Sequence, residues 1–150
     1  MQSGRSGVRA VVDTNLIISG LLWRGTPGLL MDAIVSGQLE IVLSPELYLE
    51  LEGVLGRPKL AARIAMRRMT PASLLATVSS VAEVVFPEPL IRPASLRDAN
   101  DLHVLECAVS AKANAIITGD KDLLAIGPFA GIPILDVGQA LEAINPPANS

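Results

Sequence analysis

The run "VRAVVDTNLIISG" is aliphatic on both sides of Asp13, so an ionised carboxylate stands where a hydrophobic core is beginning. That position is costly unless the charge is compensated. Three more acids fall at comparable places. Glu50 lies in "SPELYLELEGVL", on the border of the helical stripe Leu47, Leu51, Val54 and Leu55, while Glu46 and Glu52 point further outward. Asp101 heads an i, i+3, i+4, i+7 stripe completed by Val104, Leu105 and Ala108. Asp120 closes "NAIITGD", at the end of another aliphatic run. Carboxylates about 5 Å apart repel by roughly 3 kcal/mol per pair at an effective dielectric of about 20. A cluster of this kind needs protons or a cation. Oxygen donors without His or Cys point to Mg²⁺ or Mn²⁺.

Each acid also has a structural reading. Asp98 with Asp101 can cap a helix and charge its first turn. Asp13 can cap a helix that follows it. Asp120 and Asp122 in "TGDKDLL" can be turn acids, and Glu50 a solvated residue at the helix border.

The elements that would bring the four acids together are legible in outline. Short aliphatic runs predict strands at 9–13, 40–44, 81–86, 114–118 and 132–136. Thr26-Pro27, Ser44-Pro45 and Thr70-Pro71 each read as a helix cap followed by proline in the first turn. The first of these helices would bury Leu29, Leu30, Ala33 and Ile34 before Gly37. A basic helix begins near Pro58, a longer one follows Asp98, and "VGQALEAI" forms the last. Strands alternating with helices imply an α/β fold: a three-layer α/β/α sandwich around a mainly parallel sheet of four to five strands. Ligands of such sheets bind beyond the carboxyl ends of the strands. Asp13, Ser44 and Thr118-Gly119-Asp120 all fall there. The expected unit is one domain over 8–144, with flexible ends at 1–7 and 145–150.

Composition narrows the function. Half of the 150 residues are hydrophobic but only 3% aromatic, which suits helices packed on a parallel sheet. One cysteine, Cys107, excludes an internal disulfide framework and a multi-cysteine zinc site, and makes a reducing cytoplasm the default compartment. No apolar run is long enough to span a membrane. The net charge of −3 argues against nucleic-acid binding by bulk positive charge, yet five of the twelve Lys and Arg residues cluster in "RPKLAARIAMRR". His103 reads as a surface or half-buried helix residue and Cys107 as a packing residue, and there is no G-x-S-x-G elbow or Walker-type phosphate loop.

Three blocks, "VVDTNLIISGLL", "LSPELYLELEGVLGRPKL" and "RDANDLHVLECAVSAKANAIITGDKDLL", resemble the motif blocks of PIN domains, and in particular their VapC-like toxin branch. The resemblance covers residues 8 to 137. It implies a metal-dependent ribonuclease on an α/β/α sandwich, with its acids at Asp13, Glu50, Asp101 and Asp120 and Asp122 as an auxiliary. It also implies a homodimer and a cognate antitoxin. Relatives often read Arg-Asp-Pro-Asp-Asp where this chain has Arg97-Asp98-Ala99-Asn100-Asp101, so the local negative charge is lower here.

The chemistry expected is Mg²⁺- or Mn²⁺-dependent hydrolysis of RNA phosphodiesters. Asp13 and Asp101 are expected to coordinate directly, and Glu50 and Asp120 to hold a second ion or orient water. Asn15, Thr14, Ser44 and Thr118 are candidates to hydrogen-bond water or phosphate, although capping explains Ser44 equally well. Arg63 and Arg67 could hold an RNA backbone, and Trp23-Arg24 could clamp a base, against the alternative of a solvated basic helix face. Two rival functions remain open at this point. One is a catalytically silent PIN fold that binds RNA or an antitoxin; the other is a metal-dependent 5′-nuclease acting on structured DNA.

Overall fold

The aliphatic runs form a sheet that is buried on both sides. In the computed structural model, which describes residues 8–94, 96 and 99–145, the strands are β1 (Val8–Val12), β2 (Leu39–Leu43), β3 (Ala82–Val84), β4 (Ala115–Ile117) and β5 (Ile134–Leu135). Successive side chains of a strand point to opposite faces. Ala10, Val11 and Val12 are nevertheless all buried, as are Ile41, Val42 and Leu43, and Ala115, Ile116 and Ile117. Helices must therefore cover both faces, which is the arrangement a parallel sheet requires.

All five strands are parallel, in the order β3-β2-β1-β4-β5. Eight helices connect and flank them: α1 (Thr14–Leu22), α2 (Gly25–Val35), α3 (Pro45–Leu55), α4 (Pro58–Met66), α5 (Pro71–Val81), α6 (Ala99–Ala111), α7 (Lys121–Ile126) and α8 (Val137–Ile144). The chain builds outward from β1 through β2 to β3, then returns across the sheet to β4 and β5. Neighbours β1 and β4 thus send their connections in opposite directions. A crevice opens at such a switch point, beyond the carboxyl ends of the two strands. Helix α6 packs across β1, β2 and β4, α2 packs on β2, and α8 joins α2 to β5.

Local sequence explains most helix starts. The Ser44 hydroxyl accepts from the Leu47 N–H at 3.2 Å, with Pro45 next in line. Thr70 and Ser73 form a reciprocal capping box, and Asp136 with Gln139 forms another. One start differs from expectation. α2 begins at Gly25, ahead of the predicted Thr26-Pro27 cap, because Arg24 and Gly25 both take positive φ in a tight link from α1. Arg24 holds that link by donating to the Gly20 carbonyl and pairing with Asp32 at 2.7 Å. Leu29 does not join the buried stripe of α2: it is 57% exposed, and Met31 fills the core instead. The strands at 81–86 and 132–136 are shorter than predicted, with Val84 and Phe86 exposed at the sheet edge. The expected ends at 1–7 and 146–150 and the expected cap at Asp98 lie outside the described residues, whereas Asn145 donates its N–H to Leu141 and closes α8.

At the amino end of the sheet Arg9 ties three strands to a helix. Its guanidinium pairs with Glu40 of β2 at 3.4 Å and Glu83 of β3 at 2.7 Å, and donates to the Ala111 carbonyl at the end of α6. Its backbone N–H donates to the Asn114 side chain at 2.9 Å. Nearby, Cys107 is fully buried, beside Ser44 and within the field of Arg9; burial pushes its thiol from an ordinary 9.0 up to about 12.

Two outcomes follow. A methyl group at Gly20 would sit 2.4 Å from Met31 Cγ and 2.6 Å from the Pro27 carbonyl oxygen, where α1 and α2 approach. Gly20→Ala should therefore destabilise the fold by about 1–3 kcal/mol, read as a lower urea midpoint. The Cys107 thiol keeps its proton in the fold while the unfolded chain loses it above pH 9, so stability should fall as pH rises from 9 toward 12. Urea titrations of wild type and Cys107→Ala across that range should show the smaller alkaline loss in the variant.

Candidate functional site

The register of β1 against β4 places Val12 opposite Ile117, so the residues that follow each strand meet. The Asp13 N–H donates to the Ile117 carbonyl at 2.9 Å, continuing the ladder by one step. Thr118 is fully buried at this junction, and its hydroxyl joins the two acids. It donates to Asp13 Oδ2 at 2.8 Å and accepts from the Asp120 N–H at 3.0 Å.

Both acids also cap helices, Asp13 as its structural reading anticipated and Asp120 where a turn acid was expected. Asp13 Oδ1 accepts from the Asn15 N–H at 3.0 Å and opens α1. Asp120 Oδ1 accepts from Asp122 N–H at 2.7 Å and Leu123 N–H at 3.3 Å and opens α7. Capping fixes the direction of each carboxylate without exhausting it, because an ionised carboxylate has about four lone-pair sites. Asp13 and Asp120 then line one cavity of about 260 Å³ with Asn15, Leu16, Ser19 and Gly119.

The other expected acids come from α3, α6 and α7. Glu50 is half-buried on α3 and lines a separate groove of about 520 Å³ with Glu46, Arg57 and His103. Asp101 is 8% exposed in the first turn of α6, at the head of the predicted stripe, where Val104, Leu105 and Ala108 are all buried. Asp122 is exposed, as is Asn15 at the mouth of the cavity. Among the described residues no three His, Cys, Asp or Glu side chains gather closely enough to hold a metal ion.

Two of the three arginines singled out in the sequence have structural partners. Arg24 is paired with Asp32, and Arg63 Nε donates to the Leu22 carbonyl at 2.9 Å while its guanidinium lies 5.3 Å from the Trp23 ring centroid. Arg67 is half-exposed at the end of α4. Thr14 is buried, and Ser44 serves as the cap of α3 beneath the sheet edge.

Sequence reasoning missed Glu106. It is a buried carboxylate on α6 that accepts from the Leu90 N–H at 2.8 Å and meets His103 Nδ1 at 3.3 Å. With Ser110, which accepts from the Glu88 N–H at 3.0 Å, it pins the proline-rich connection onto α6. The i, i+3 spacing of His103 and Glu106 was the one signal available.

An all-oxygen pair of this kind fits a Mg²⁺-like ion in chemistry and in number. Mg²⁺ keeps several waters and is commonly held by one or two carboxylates together with substrate phosphate. The Thr118 hydroxyl is the link that holds the pair. Thr118→Val should leave the Asp120 N–H without its acceptor and cost about 1–3 kcal/mol in urea unfolding. Thr118→Ser, which keeps the hydroxyl, should recover most of that loss.

The PIN domain family model matches residues 9–122. Among curated proteins none matches. Two solved structures are similar in fold, each with a TM-score of 0.57. One is VapBC2 from Rickettsia felis, solved bound to a DNA fragment from the promoter, at 14% identity over 85% of this chain and 98% of that one. The other is PAE2754 from Pyrobaculum aerophilum, at 19% identity over 96% of this chain and 93% of that one. With the family model spanning β1 to β4 and the start of α7, on the helix-covered parallel sheet described above, the chain belongs to the PIN domain family.

Proposed function

We propose that this protein is a metal-dependent endoribonuclease of the cytoplasm, the toxin of a toxin–antitoxin pair, acting as a homodimer. The observation that carries the nuclease reading is the pair Asp13 and Asp120, held on one cavity at the sheet's switch point and joined through Thr118. The antitoxin and toxin assignments lean on family membership and on the likeness to VapBC2. No helix among the described residues is long and apolar enough to cross a membrane.

Asp13 and Asp120 would hold the ion, with Asp101 and Glu50 contributing from α6 and α3. When bound, a divalent cation polarises the scissile phosphate and makes its bound water acidic enough to supply hydroxide near neutral pH. The chain's own part is positioning. The Asn15 N–H and the Thr118 hydroxyl fix the two oxygens of Asp13, so the carboxylate does not reorganise when substrate arrives. The exposed Asn15 side chain stands at the cavity mouth, where its amide can donate to a phosphate oxygen. Leu16 closes one wall and limits water at the reacting centre.

A second reading has one observation in its favour. Glu50 opens onto a groove with Arg57 and His103, and no cluster of three metal-holding side chains exists among the described residues. A PIN fold that binds RNA or an antitoxin without cutting would need no such cluster.

Asp13→Asn separates the two. Asparagine keeps one oxygen to cap α1 and turns its amide N–H toward the Thr118 hydroxyl, which then accepts instead of donating, so unfolding should shift by about 1–2 kcal/mol. Cleavage of RNA in Mg²⁺ should fall at least a hundredfold, and chelation with EDTA should abolish wild-type cleavage, with Mn²⁺ restoring it. A wild-type protein that binds RNA but leaves it intact in either metal would establish the silent reading. Cleavage that persists unchanged in Asp13→Asn would reject the site.

A further inference from the structure

The charge of this acidic chain is unevenly placed. Residues 53–82 contain five Lys and Arg and no Asp or Glu, whereas the remainder carries seven basic residues against fifteen acidic ones. On α4 and its C-cap, Lys59, Arg63 and Arg67 recur at i, i+4 and i+8, which places them in one row with a rise of about 6 Å per step. Like charges stacked in this way cost stability unless they serve a partner.

The row is anchored to the helix that carries the acidic cavity. Arg63 donates Nε to the last carbonyl of α1, at Leu22, and its guanidinium lies over Trp23. Trp23 is 50% exposed despite that contact. Leu16 and Ser19 line the carboxylate cavity, and Trp23 follows at i+7 and i+4 from them, so all three share one face of α1. The nine residues of α1 separate the Asp13 cap from this platform by about 13 Å.

From this we infer that Trp23 and the row Lys59, Arg63 and Arg67 form a docking track for single-stranded RNA, leading from the carboxylate cavity along α1 to α4. An aromatic face beside a line of cations is the combination that grips unpaired nucleic acid, by base stacking and phosphate contacts without base-specific readout. Duplex RNA offers no free base to Trp23, so the favoured substrate is unpaired and extends several nucleotides to one side of the cut. An acidic protein segment would satisfy the cations but would leave the tryptophan's stacking face unused. The direction of the track rests on the nuclease reading; the binding surface does not.

The test measures binding apart from cleavage. Fluorescence anisotropy of a labelled ten-nucleotide single-stranded RNA in EDTA, over a salt series, should give at least tenfold weaker binding for Lys59→Glu/Arg67→Glu and at least fivefold weaker for Trp23→Ala. Lys59→Gln, at an exposed position, should reduce the salt slope by about 0.7 with an unchanged melting temperature. Unchanged RNA affinity in folded Lys59→Glu/Arg67→Glu would overturn the proposal. So would tighter binding of duplex than of single strand, or displacement of RNA by polyglutamate at equal charge concentration, which would point to an acidic protein partner. RNA held by the row but left intact in Mg²⁺ would sustain this surface and remove the nuclease reading alone.

Discussion

A parallel sheet covered on both faces leaves polar chemistry only at the two ends of its strands. Here the last three residues of β1, β2 and β4 are all aliphatic and buried. The strand ends must then satisfy the backbone and side-chain groups that emerge from the core, and the two ends do so differently. At the amino end Arg9 gathers Glu40, Glu83 and the last carbonyl of α6, so charges of opposite sign close the sheet. At the carboxyl end Asp13 and Asp120 meet through the Thr118 hydroxyl, and each carboxylate accepts from backbone N–H groups. The first end is neutralised internally. The second leaves two carboxylates facing one cavity.

The same residues carry folding and chemistry at the carboxyl end. Asp13 and Asp120 stabilise the first turns of α1 and α7, and the hydrogen bonds that do this also aim the carboxylates. Capping and metal binding therefore are compatible roles for one side chain. A cap uses one or two lone pairs of a group that has about four. The helix dipole at each N-terminus also favours the negative charge of the capping carboxylate.

Burial without charge marks the structural residues clearly. Cys107 sits at the centre of the helix–sheet contact with its thiol held protonated, and Glu106 is buried only because it takes the Leu90 N–H and the His103 ring. The proline-rich connection that Glu106 and Ser110 hold brings the chain from β3 back to α6, the one long return that the strand order demands.

Much of this was legible before any coordinates. Aliphatic runs of strand length, proline after a capping hydroxyl, and the three acidic blocks gave the α/β order and the residues worth testing. Periodicity correctly placed Asp101 at the head of a buried stripe, because helical spacing is a local property. Helix α1 is announced only by Asp13 as a possible cap, and α7 not at all: Asp120 and Asp122 read as turn acids, and six residues are too few to show a helical period. Leu29 faces solvent because the Arg24–Gly25 link starts α2 early, a consequence of left-handed backbone that residue type did not announce. Tertiary structure alone decided which acids share a cavity. Asp13 and Asp120 are 107 positions apart and meet through the β1–β4 register and one threonine hydroxyl, whereas Glu50 opens onto another groove. Sequence sets which groups the chain can offer; long-range pairing sets their separation, and electrostatic chemistry depends on separation.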